Sequence, residues 1–377
     1  MTALLPNIDP DGLLEYSVVY TDRALNHMSK KFQGVMKEIH RILTQVYHAQ
    51  SAIIVPGSGT FGMEAVARQF ATGKTALVIR AGFFSFRWTQ IFDMGKIPAS
   101  HTVLKARRTG TGSQSPWVPT PIAEVVAAIA AEKPALVIAP HVETASGIIL
   151  PDDYLKAVAQ ATHAAGGLFV LDCVASGCMW VDMEAMGVDV IVGAPQKGWS
   201  GTPCCAMVML SERAKAVMEG TTSTSFACDL KKWSAIMDAY LKGGHAYHAT
   251  MPTDALAKVC AVMQECEAYG FEKLRAEQAE LGAKVRALVE SRGLPSVAAE
   301  GFKAPGVVVS YTTDPEIQSG KKFVAVGLQV ASGVPLQCDE PADYMTFRLG
   351  LFGLDKLHNV DRPVASLATA LTQIGLK

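Results

Sequence analysis

The sequence lacks an excess of charge of either sign and lacks any long apolar run. Its 34 Lys and Arg residues nearly balance 35 Asp and Glu residues, so the formal net charge is −1. Dedicated nucleic-acid and membrane-surface proteins need a clustered basic excess, and the balance argues against both classes. No apolar run approaches the roughly 18 residues that a membrane span requires. We therefore expect a protein without a nucleic-acid or membrane partner.

Paired cysteine motifs and targeting signals are also missing. The eight cysteines form no CxxC pair and show no spacing typical of secreted domains, which favours reduced thiols. The first residues contain neither a basic n-region nor an apolar h-region. The last residues, Gly375-Leu376-Lys377, do not form a peroxisomal signal. These absences predict a soluble cytoplasmic protein.

What the sequence does contain is enough apolar material for a sizeable core, with 49% apolar residues in a chain of 377. Short apolar runs alternate with helical patterns through the first two thirds, which predicts an α/β fold with a mostly parallel sheet buried on both faces. The expected strands are Ile53–Pro56, Ala76–Arg80, Thr102–Lys105, Ala135–Ala139, Leu168–Asp172, Val188–Gly193 and Cys205–Leu210. The expected helices between them are Gly62–Ala71, Ser85–Met94, Pro121–Glu132 and Asp153–Ala164.

The pattern changes near residue 250, which predicts a smaller α+β domain at the C-terminal end. We expect an N-terminal arm over 1–20, a large domain over 21–252 and a small domain over 253–377. The small domain should begin with a long helical region that breaks near Gly270. Its other expected elements are strands at Val307–Thr312, Phe323–Gln329 and Tyr344–Leu349 and a last helix at Pro363–Ile374. The Gly-, Ser- and Pro-rich segment Thr109–Pro121 is expected to be a surface loop of the large domain.

Three polar segments follow predicted strands, at the sheet edge where such folds bind ligands. Gly57-Ser58-Gly59-Thr60 opens a helix and suits an anion, although a plain tight turn has the same pattern. It fits neither the dinucleotide nor the Walker motif. Asp172 ends a strand and can hold a metal or a cationic ring nitrogen, or cap a helix. Lys197 follows the next strand; burial there would suit Schiff-base chemistry, with a solvated loop lysine as the alternative.

Taken together, the three segments fit one ligand that carries a phosphate, a pyridine nitrogen and an aldehyde, which is pyridoxal 5′-phosphate. With these motifs the sequence resembles the class V aminotransferases of fold type I, such as alanine–glyoxylate and serine–glyoxylate aminotransferases, from about residue 25 onward. The resemblance implies a large domain with a seven-stranded sheet between helices. It also implies that Ser58, Gly59 and Thr60 bind the phosphate, that Asp172 pairs with the pyridine nitrogen, and that Lys197 forms the Schiff base.

Further motifs extend the resemblance. Thr144, in Glu143-Thr144-Ala145-Ser146-Gly147, matches the residue near the cofactor's phenolic oxygen. By the same resemblance, Val174 and Phe84 would pack on the ring from either side, with Gln196 near the phosphate. Tyr247 and Thr250 match residues that reach the phosphate of the neighbouring subunit, which implies a homodimer with shared active sites. Arg348, in Phe347-Arg348-Leu349-Gly350, would grip the substrate carboxylate.

The implied function is transfer of an amino group from a small amino acid to a 2-oxo acid such as glyoxylate or pyruvate. The reaction would be a ping-pong exchange through Schiff bases, with Lys197 as general base and acid. Several segments depart from the family pattern. Asp9–Tyr16 replaces a GPGP-type loop, and Val142 replaces Asn. Trp199 and Gly201 alter the stretch after the lysine, and the loop Gly333–Pro341 is longer and more acidic than expected. The carboxylates of Asp9, Asp11, Glu15 and Glu340 suggest a donor with an extra polar or basic group.

Three alternatives remain open from the sequence. A lyase of the cysteine desulfurase type would use Cys338, ten residues before Arg348, although such enzymes usually carry His where Gln196 stands. A sensor or scaffold of the same fold would be expected to have lost Lys197, Asp172 or Arg348. A metal hydrolase would need more than His245 and His248, for which no third ligand stands at a recognisable spacing, and no metal is expected.

Overall fold

The computed structural model describes residues 13–376, along which helices and strands alternate. The strands are β1 (Ser51–Pro56), β2 (Thr75–Arg80), β3 (Ser100–Lys105), β4 (Arg107–Arg108), β5 (Trp117–Val118), β6 (Leu136–Pro140), β7 (Val142–Glu143), β8 (Ile148–Ile149), β9 (Leu168–Asp172), β10 (Val190–Gly193), β11 (Cys205–Leu210), β12 (Val307–Tyr311), β13 (Ala331–Ser332) and β14 (Thr346–Gly350). The helices are α1 (Lys30–Tyr47), α2 (Gly59–Phe70), α3 (Phe83–Gly95), α4 (Ile122–Glu132), α5 (Asp152–Ala164), α6 (Met183–Met186), α7 (Glu212–Glu219), α8 (Leu230–Leu241), α9 (Thr253–Tyr269), α10 (Phe271–Ser291), α11 (Pro315–Gln318), α12 (Lys321–Ala325), α13 (Leu354–Leu357) and α14 (Asp361–Gln373).

One seven-stranded sheet forms the centre of the fold, in the order β1-β11-β10-β9-β6-β2-β3. Neighbouring strands from β10 to β3 run parallel, and β11 runs antiparallel to both β1 and β10. Every residue of β6, β9, β10 and β11 is buried, as expected for apolar strands covered on both faces. The predicted mostly parallel sheet is confirmed, and each of the seven predicted strands lies in it.

Strand direction brings four strand ends to the same edge of this sheet. Because β1 and β10 are both antiparallel to β11, they point the same way, and β6 and β9 run parallel to β10. Asp172 at the end of β9 pairs with Pro140 of β6 and Val192 of β10. The residues that follow these four strands therefore lie side by side, at the edge where open α/β sheets bind ligands.

Helix α2 packs closely on the sheet just behind this edge. A Cβ atom on Gly62 would lie 2.5 Å from the Cβ of Ala206 in β11, closer than such atoms approach in proteins. Glycine at this position lets the helix approach the strands, so the start of α2 is held directly above the strand ends. The four helices predicted between the strands of the first two thirds are present as α2, α3, α4 and α5.

The C-terminal third contains a second sheet, in the order β12-β14-β13. The predicted break near Gly270 separates α9 from α10, and Gly270 itself has φ 108. The predicted strands at Val307–Thr312 and Tyr344–Leu349 and the last helix are present within a few residues. The predicted strand at Phe323–Gln329 is wrong, because this segment forms the short helix α12 and a loop.

The segment Thr109–Pro121 is not simply a surface loop of the first region. Trp117 within it is 1% exposed, and its indole Nε1 donates a hydrogen bond to the hydroxyl of Tyr311 in β12 at 3.0 Å. Its backbone N also donates to the carbonyl of Val297 at 2.7 Å. Residues 109–114 and Pro121 are exposed, whereas Trp117 joins the two parts of the chain. None of the helices within residues 13–376 is long and apolar enough to cross a bilayer.

Candidate active site

A cavity of about 210 Å³ opens at the shared edge of β1, β6, β9 and β10. Nine of the residues predicted to bind a cofactor line it: Ser58, Gly59, Thr60, Phe84, Thr144, Asp172, Val174, Gln196 and Lys197. Five further lining residues were not predicted as site residues: Met63, Arg87, Pro140, Val142 and Ala175. The three polar segments of the sequence therefore meet in one place, although they lie far apart along the chain.

The phosphate-type turn forms the start of α2 on one wall of the cavity. Ser58 is the N-cap residue, and its side chain accepts no hydrogen bond from the helix, which leaves its hydroxyl available to a ligand. The first N–H groups of a helix have no partner within it and carry the positive end of the helix dipole. A Cβ atom on Gly59 would lie 2.8 Å from Cγ2 of Val174, so a side chain there would collide with the opposite wall.

Asp172 lies at the bottom of the cavity with its carboxylate held in place. The backbone N of Val174 donates to Oδ1 at 3.1 Å, and the indole Nε1 of Trp88 donates to Oδ2 at 3.3 Å. Burial raises the pKa of Asp172 to about 6, against these two hydrogen bonds, which lower it. A buried carboxylate oriented in this way is suited to pair with a cationic nitrogen in the cavity.

Lys197 extends into the same cavity from the turn that follows β10. Burial lowers the pKa of its amine, Asp172 acts in the opposite direction, and the charges of Arg348 and Arg87 lower it further. Its Nζ lies 5.8 Å from the ring centre of Phe84 and 5.6 Å from that of Phe352. A lysine with a lowered pKa is more often neutral and therefore a better nucleophile.

The turn that carries Lys197 is packed tightly. A Cβ atom on Gly198 would lie 2.2 Å from the carbonyl oxygen of Gly177, so only glycine fits where the two backbones touch. The carbonyl of Lys197 accepts a hydrogen bond from the backbone N of Ser200 at 3.0 Å, and Gly201 N donates to the carbonyl of Pro195 at 2.8 Å. These contacts fix the direction in which the Lys197 side chain leaves the backbone.

Phe84 stands at the start of α3, and Glu143 anchors that helix end. Oε1 of Glu143 accepts from the backbone N of Phe84 at 3.2 Å and from Ala145 N at 3.0 Å, and Oε2 accepts from the backbone N and hydroxyl of Ser85 at 2.8 Å each. Glu143 is fully buried. A carboxylate at a helix N-terminus is stabilised by the dipole as well as by these donors. The motif that contains Glu143 indicated a role only for Thr144.

Arg348 approaches the site from β14 of the C-terminal sheet. Its Nε donates to the carbonyl of Ser332 at 2.8 Å, and its Cζ lies 5.5 Å from the ring centre of Phe84. Within residues 13–376, its two terminal nitrogens form no hydrogen bond, so the fork is free to bind a carboxylate. Burial lowers the pKa of the guanidinium, which stays charged because arginine titrates far above neutral pH.

Tyr247 and Thr250 do not line this cavity in the single chain. Tyr247 is 56% exposed, and its hydroxyl shares a hydrogen bond of 3.1 Å with the hydroxyl of Thr250. Its ring packs against His27, with the ring centres 5.7 Å apart. The pair is thus presented outward, and its role towards a second subunit stays a prediction.

The cavity contains polar atoms that suit a phosphorylated pyridine ligand. Thr144 Oγ1 and Gln196 Oε1 are buried and have no hydrogen-bond partner within the described part of the chain. Buried polar atoms of this kind are rare in folded proteins unless a ligand or water satisfies them. Together with the helix start at Ser58, the carboxylate of Asp172 and the amine of Lys197, they fit pyridoxal phosphate.

Several residues in the segments that depart from the family pattern pack or form hydrogen bonds outside the cavity. Trp199 is buried against Trp180, with ring centres 4.5 Å apart, and does not line the cavity. Glu340 accepts hydrogen bonds from the backbone N atoms of Leu336, Gln337 and Cys338 in its own loop.

The carboxylate of Glu15 is also engaged, with Ser17 N and the Asn26 side chain. The carboxylates of Glu340 and Glu15 thus have partners within their own segments, and recognition of a basic donor group by them stays a prediction. Asp9 and Asp11 lie outside the described residues. Among the departures that fall within residues 13–376, Val142 is the one that lines the cavity.

Cys338 and the two histidines that the sequence raised as alternatives are placed as structural groups. Cys338 is 4% exposed, its Sγ contacts the carbonyls of Arg80 and Leu336, and burial raises the pKa of its thiol to about 12. A thiol with such a pKa carries almost no thiolate at neutral pH, and the thiolate is the reactive form. His248 bonds to the carbonyl of Phe226, and His245 packs against His27.

Comparisons with known proteins match this chain to one family model and to several distant relatives. The model of the family Aminotransferase class-V matches residues 12–312. The small subunit of a soluble hydrogenase from Synechococcus is 23% identical over 93% of this chain and 88% of its own length. The L-aspartate–glyoxylate aminotransferase of Paracoccus denitrificans is 27% identical over 70% of this chain and 62% of its own length.

A solved structure extends the likeness to the fold of nearly the whole chain. The ureidoglycine–glyoxylate aminotransferase of Bacillus subtilis superposes with a TM-score of 0.77 at 22% identity. The superposition covers 93% of this chain and 89% of the other. The fold of the chain is therefore that of the aminotransferases of fold type I, as the sequence motifs predicted.

Proposed function

The chain belongs to the class V aminotransferase family, and from this premise we propose that it moves an amino group from a small amino acid to a 2-oxo acid such as glyoxylate or pyruvate. The observation that carries the proposal is the meeting of Lys197, Asp172 and the Ser58–Thr60 turn in one cavity. Each of these groups alone has a common structural explanation. Their convergence around a single space is explained by one ligand, pyridoxal phosphate.

We propose that each end of the ligand has its own set of residues. Ser58, Gly59 and Thr60 would hold the phosphate at the start of α2, with Gln196 beside them. Asp172 would pair with the ring nitrogen, and Thr144 would hydrogen bond to the phenolic oxygen. Val174 and Phe84 would pack on the two faces of the ring. Lys197 would hold the aldehyde carbon covalently.

Pyridoxal phosphate, when bound, supplies an electron-accepting ring that stabilises negative charge on the substrate's α-carbon. The chain supplies the remaining functions. Arg348 would bind the substrate carboxylate through its free terminal nitrogens, which fixes the α-carbon near Lys197. Once the substrate's amino group has replaced it on the aldehyde carbon, the released Lys197 amine would remove the proton from the α-carbon and return it to the former aldehyde carbon. Its lowered pKa keeps a neutral fraction available for this task. Asp172 would hold a proton on the ring nitrogen.

Two structural aspects belong to the same proposal. We propose a homodimer in which Tyr247 and Thr250 of one subunit complete the phosphate site of the other, because both are exposed and neither lines the cavity of its own chain. We also propose the division into an arm over 1–20, a large domain over 21–252 and a small domain over 253–377. The exposed apolar side chains of Leu13, Leu14 and Tyr16 in the arm support its burial against a second subunit.

A lyase of the cysteine desulfurase type is disfavoured, since Cys338 is buried and its thiol pKa is raised.

The experiment that tests the proposed aminotransferase function is reductive trapping. The purified holoprotein is treated with borohydride, digested and mapped by mass spectrometry. We expect a pyridoxyl group on the peptide that contains Lys197, and no label in Lys197→Ala. Labelling of any other lysine, or of none, contradicts the proposal.

A further inference from the structure

Arg87 is a charged residue of the cavity to which neither the motifs nor the family pattern gave a role. It stands on α3 three residues after Phe84, so both side chains lie on the same face of the helix. Its Cζ lies 5.3 Å from the ring centre of Phe84. The guanidinium therefore reaches the cavity beside the ring that is proposed to cover the cofactor.

The direction of the guanidinium is set by the turn at the start of α2. Nη1 of Arg87 donates a hydrogen bond to Oγ1 of Thr60 at 3.1 Å. Thr60 belongs to the turn proposed to hold the phosphate, whereas Arg348 is held by Ser332 on the C-terminal sheet. Arg87 and Arg348 both lie near the Phe84 ring, but different groups hold them. Arg87 is hydrogen bonded to the phosphate turn, and Arg348 is not.

The charge of Arg87 is not compensated within the described part of the chain. Over residues 13–376 it forms no ion pair with any carboxylate, and its hydrogen bond to Thr60 leaves further N–H donors unused. Because Arg87 lines the cavity, its unused N–H donors are available to an anionic ligand there. Arginine's planar fork matches phosphate geometry.

From these observations we propose that Arg87 is a phosphate-binding residue that neutralises part of the cofactor's phosphate charge, next to the N–H groups of the Ser58–Thr60 turn. The inference rests on the proposed function, since it needs pyridoxal phosphate as the ligand. It assigns a side-chain cation to an anion site that otherwise consists of backbone N–H groups, hydroxyls and one amide. Thr60 would position the guanidinium, and the neighbouring Phe84 ring would restrict its movement.

Binding to the full-length, cofactor-free protein tests this inference without any turnover. Pyridoxal phosphate and pyridoxal, which lacks the phosphate, are titrated separately while the absorbance of the bound form is followed. A charge-assisted hydrogen bond contributes enough that Arg87→Met should weaken pyridoxal phosphate binding roughly 10- to 100-fold. The affinity of Arg87→Met for pyridoxal should change far less, because without the phosphate only the small effect of the Arg87 charge on Lys197 is lost. Arg87→Lys keeps the charge but loses the fork, so its affinity for pyridoxal phosphate should lie between those of wild type and Arg87→Met.

The controls separate the possible failures. Arg107→Met removes an exposed arginine outside the cavity and should bind both ligands as the wild type does. Equal losses for pyridoxal phosphate and pyridoxal in Arg87→Met would show a merely structural role and overturn the inference. Unchanged affinity of Arg87→Met for both ligands would also overturn the inference. The same holds if the affinities are unchanged and KM rises for amino acids with a second anionic group, because Arg87 would then bind substrate. If the wild-type protein binds neither ligand, the proposed function itself fails.

Discussion

Glu143 fixes the backbone of Phe84, because its Oε1 accepts a hydrogen bond from the Phe84 amide N at 3.2 Å. Glu143, which is distant from Phe84 in the sequence, thus helps to determine where the Phe84 ring stands at the cavity. The anchor also leaves no room for a side chain at Gly82, where a Cβ atom would lie 2.7 Å from Cγ of Glu143. Glu143 thus joins the start of α3 to the segment that carries Thr144, and the Phe84 ring at this junction lies 5.8 Å from Nζ of Lys197.

The first prediction concerns this junction. Glu143→Gln replaces one acceptor oxygen by an NH₂ group that faces N–H donors, so buried donors lose their partners. We expect the free energy of unfolding to fall by about 2–4 kcal/mol, given the cost of unsatisfied buried polar groups. The visible circular dichroism of the bound cofactor should weaken as well, because the Phe84 ring is no longer fixed. Denaturant unfolding and the spectrum of the holoprotein measure both effects.

Glu124→Gln is the matched control for this substitution. Glu124 is exposed and pairs with Arg107 on the surface, so its change should alter neither stability nor the spectrum appreciably. A Glu143→Gln protein with wild-type stability and wild-type dichroism would show that the four hydrogen bonds do not fix Phe84.

The second prediction uses the pH dependence of stability. Burial raises the pKa of Asp172 to about 6 from an ordinary 3.8. The folded, cofactor-free protein therefore binds this proton more tightly than the unfolded chain does. Through this group, the free energy of unfolding is highest below about pH 4 and falls as the pH rises to about 6. Asp172→Asn removes the titration, so wild type should lose roughly 3 kcal/mol relative to the variant across this window.

Urea unfolding of both cofactor-free proteins at several pH values between 4 and 7 measures the difference. Comparing the two proteins cancels the contributions of titrating groups that do not interact with Asp172 and any constant cost of the amide. If the two stability profiles run parallel through the window, Asp172 does not have a raised pKa in the folded chain.

The third prediction concerns the substrate carboxylate. Arg348→Lys keeps a positive charge but loses the planar fork, and Arg348→Met loses both. We expect kcat/KM to fall roughly 10- to 100-fold or more in the methionine variant, with a smaller loss in the lysine variant. Steady-state kinetics measure kcat/KM for the amino acid and, separately, for the 2-oxo acid. Equal losses should appear for both, because the same residue would bind both acids in turn.

Cofactor affinity distinguishes this role from that of Arg87. Arg348→Met should bind pyridoxal phosphate as tightly as wild type does, since Arg348 is held by Ser332 and not by the phosphate turn. Unchanged kcat/KM in Arg348→Met would remove Arg348 from the substrate site.

The fourth prediction separates a transaminase from a desulfurase. Cys338 is buried against the carbonyls of Arg80 and Leu336. Cys338→Ala should therefore leave amino-group transfer unchanged, with a modest loss of stability from the small cavity it creates. Cys260→Ala, at a similarly buried cysteine of α9, serves as the control for that loss. Release of alanine from cysteine by wild type, with its sulfur transferred to Cys338 as a persulfide, would establish the alternative reaction if both are lost in Cys338→Ala.

Much of the fold could be predicted because local patterns and tertiary structure agree. The buried strands are short, apolar and separated by helices, and that pattern leaves few alternatives to a parallel sheet. Phe323–Gln329 shows where the pattern misleads. Its apolar, β-branched residues suggest a strand, but Gly320 and Gly327 on either side have φ near 80 and fold the segment into a helical turn. Its one buried anchor, Phe323, packs against Phe347 of β14.

The same limit applies to the candidate site. Lys197, Asp172 and the Ser58–Thr60 turn follow strands and belong to recognisable motifs, so the sequence indicates them directly. Arg87 follows no strand, and the only local signal for it was its spacing of three residues from Phe84 on one helix face. The burial of Trp117 against Tyr311 could not be read from a segment rich in Gly, Ser and Pro, because that contact depends on a strand far along the chain.

The absorption spectrum of the purified protein, followed through the addition of single amino acids without any 2-oxo acid, tests the central claim most directly. We expect a visible band from cofactor bound to Lys197. A suitable amino acid should bleach this band while one 2-oxo acid per active site appears in solution, and added glyoxylate or pyruvate should restore it. Lys197→Ala should show neither the band nor the exchange. A wild-type protein that shows no band even after pyridoxal phosphate is added, or whose band no amino acid changes, contradicts the account.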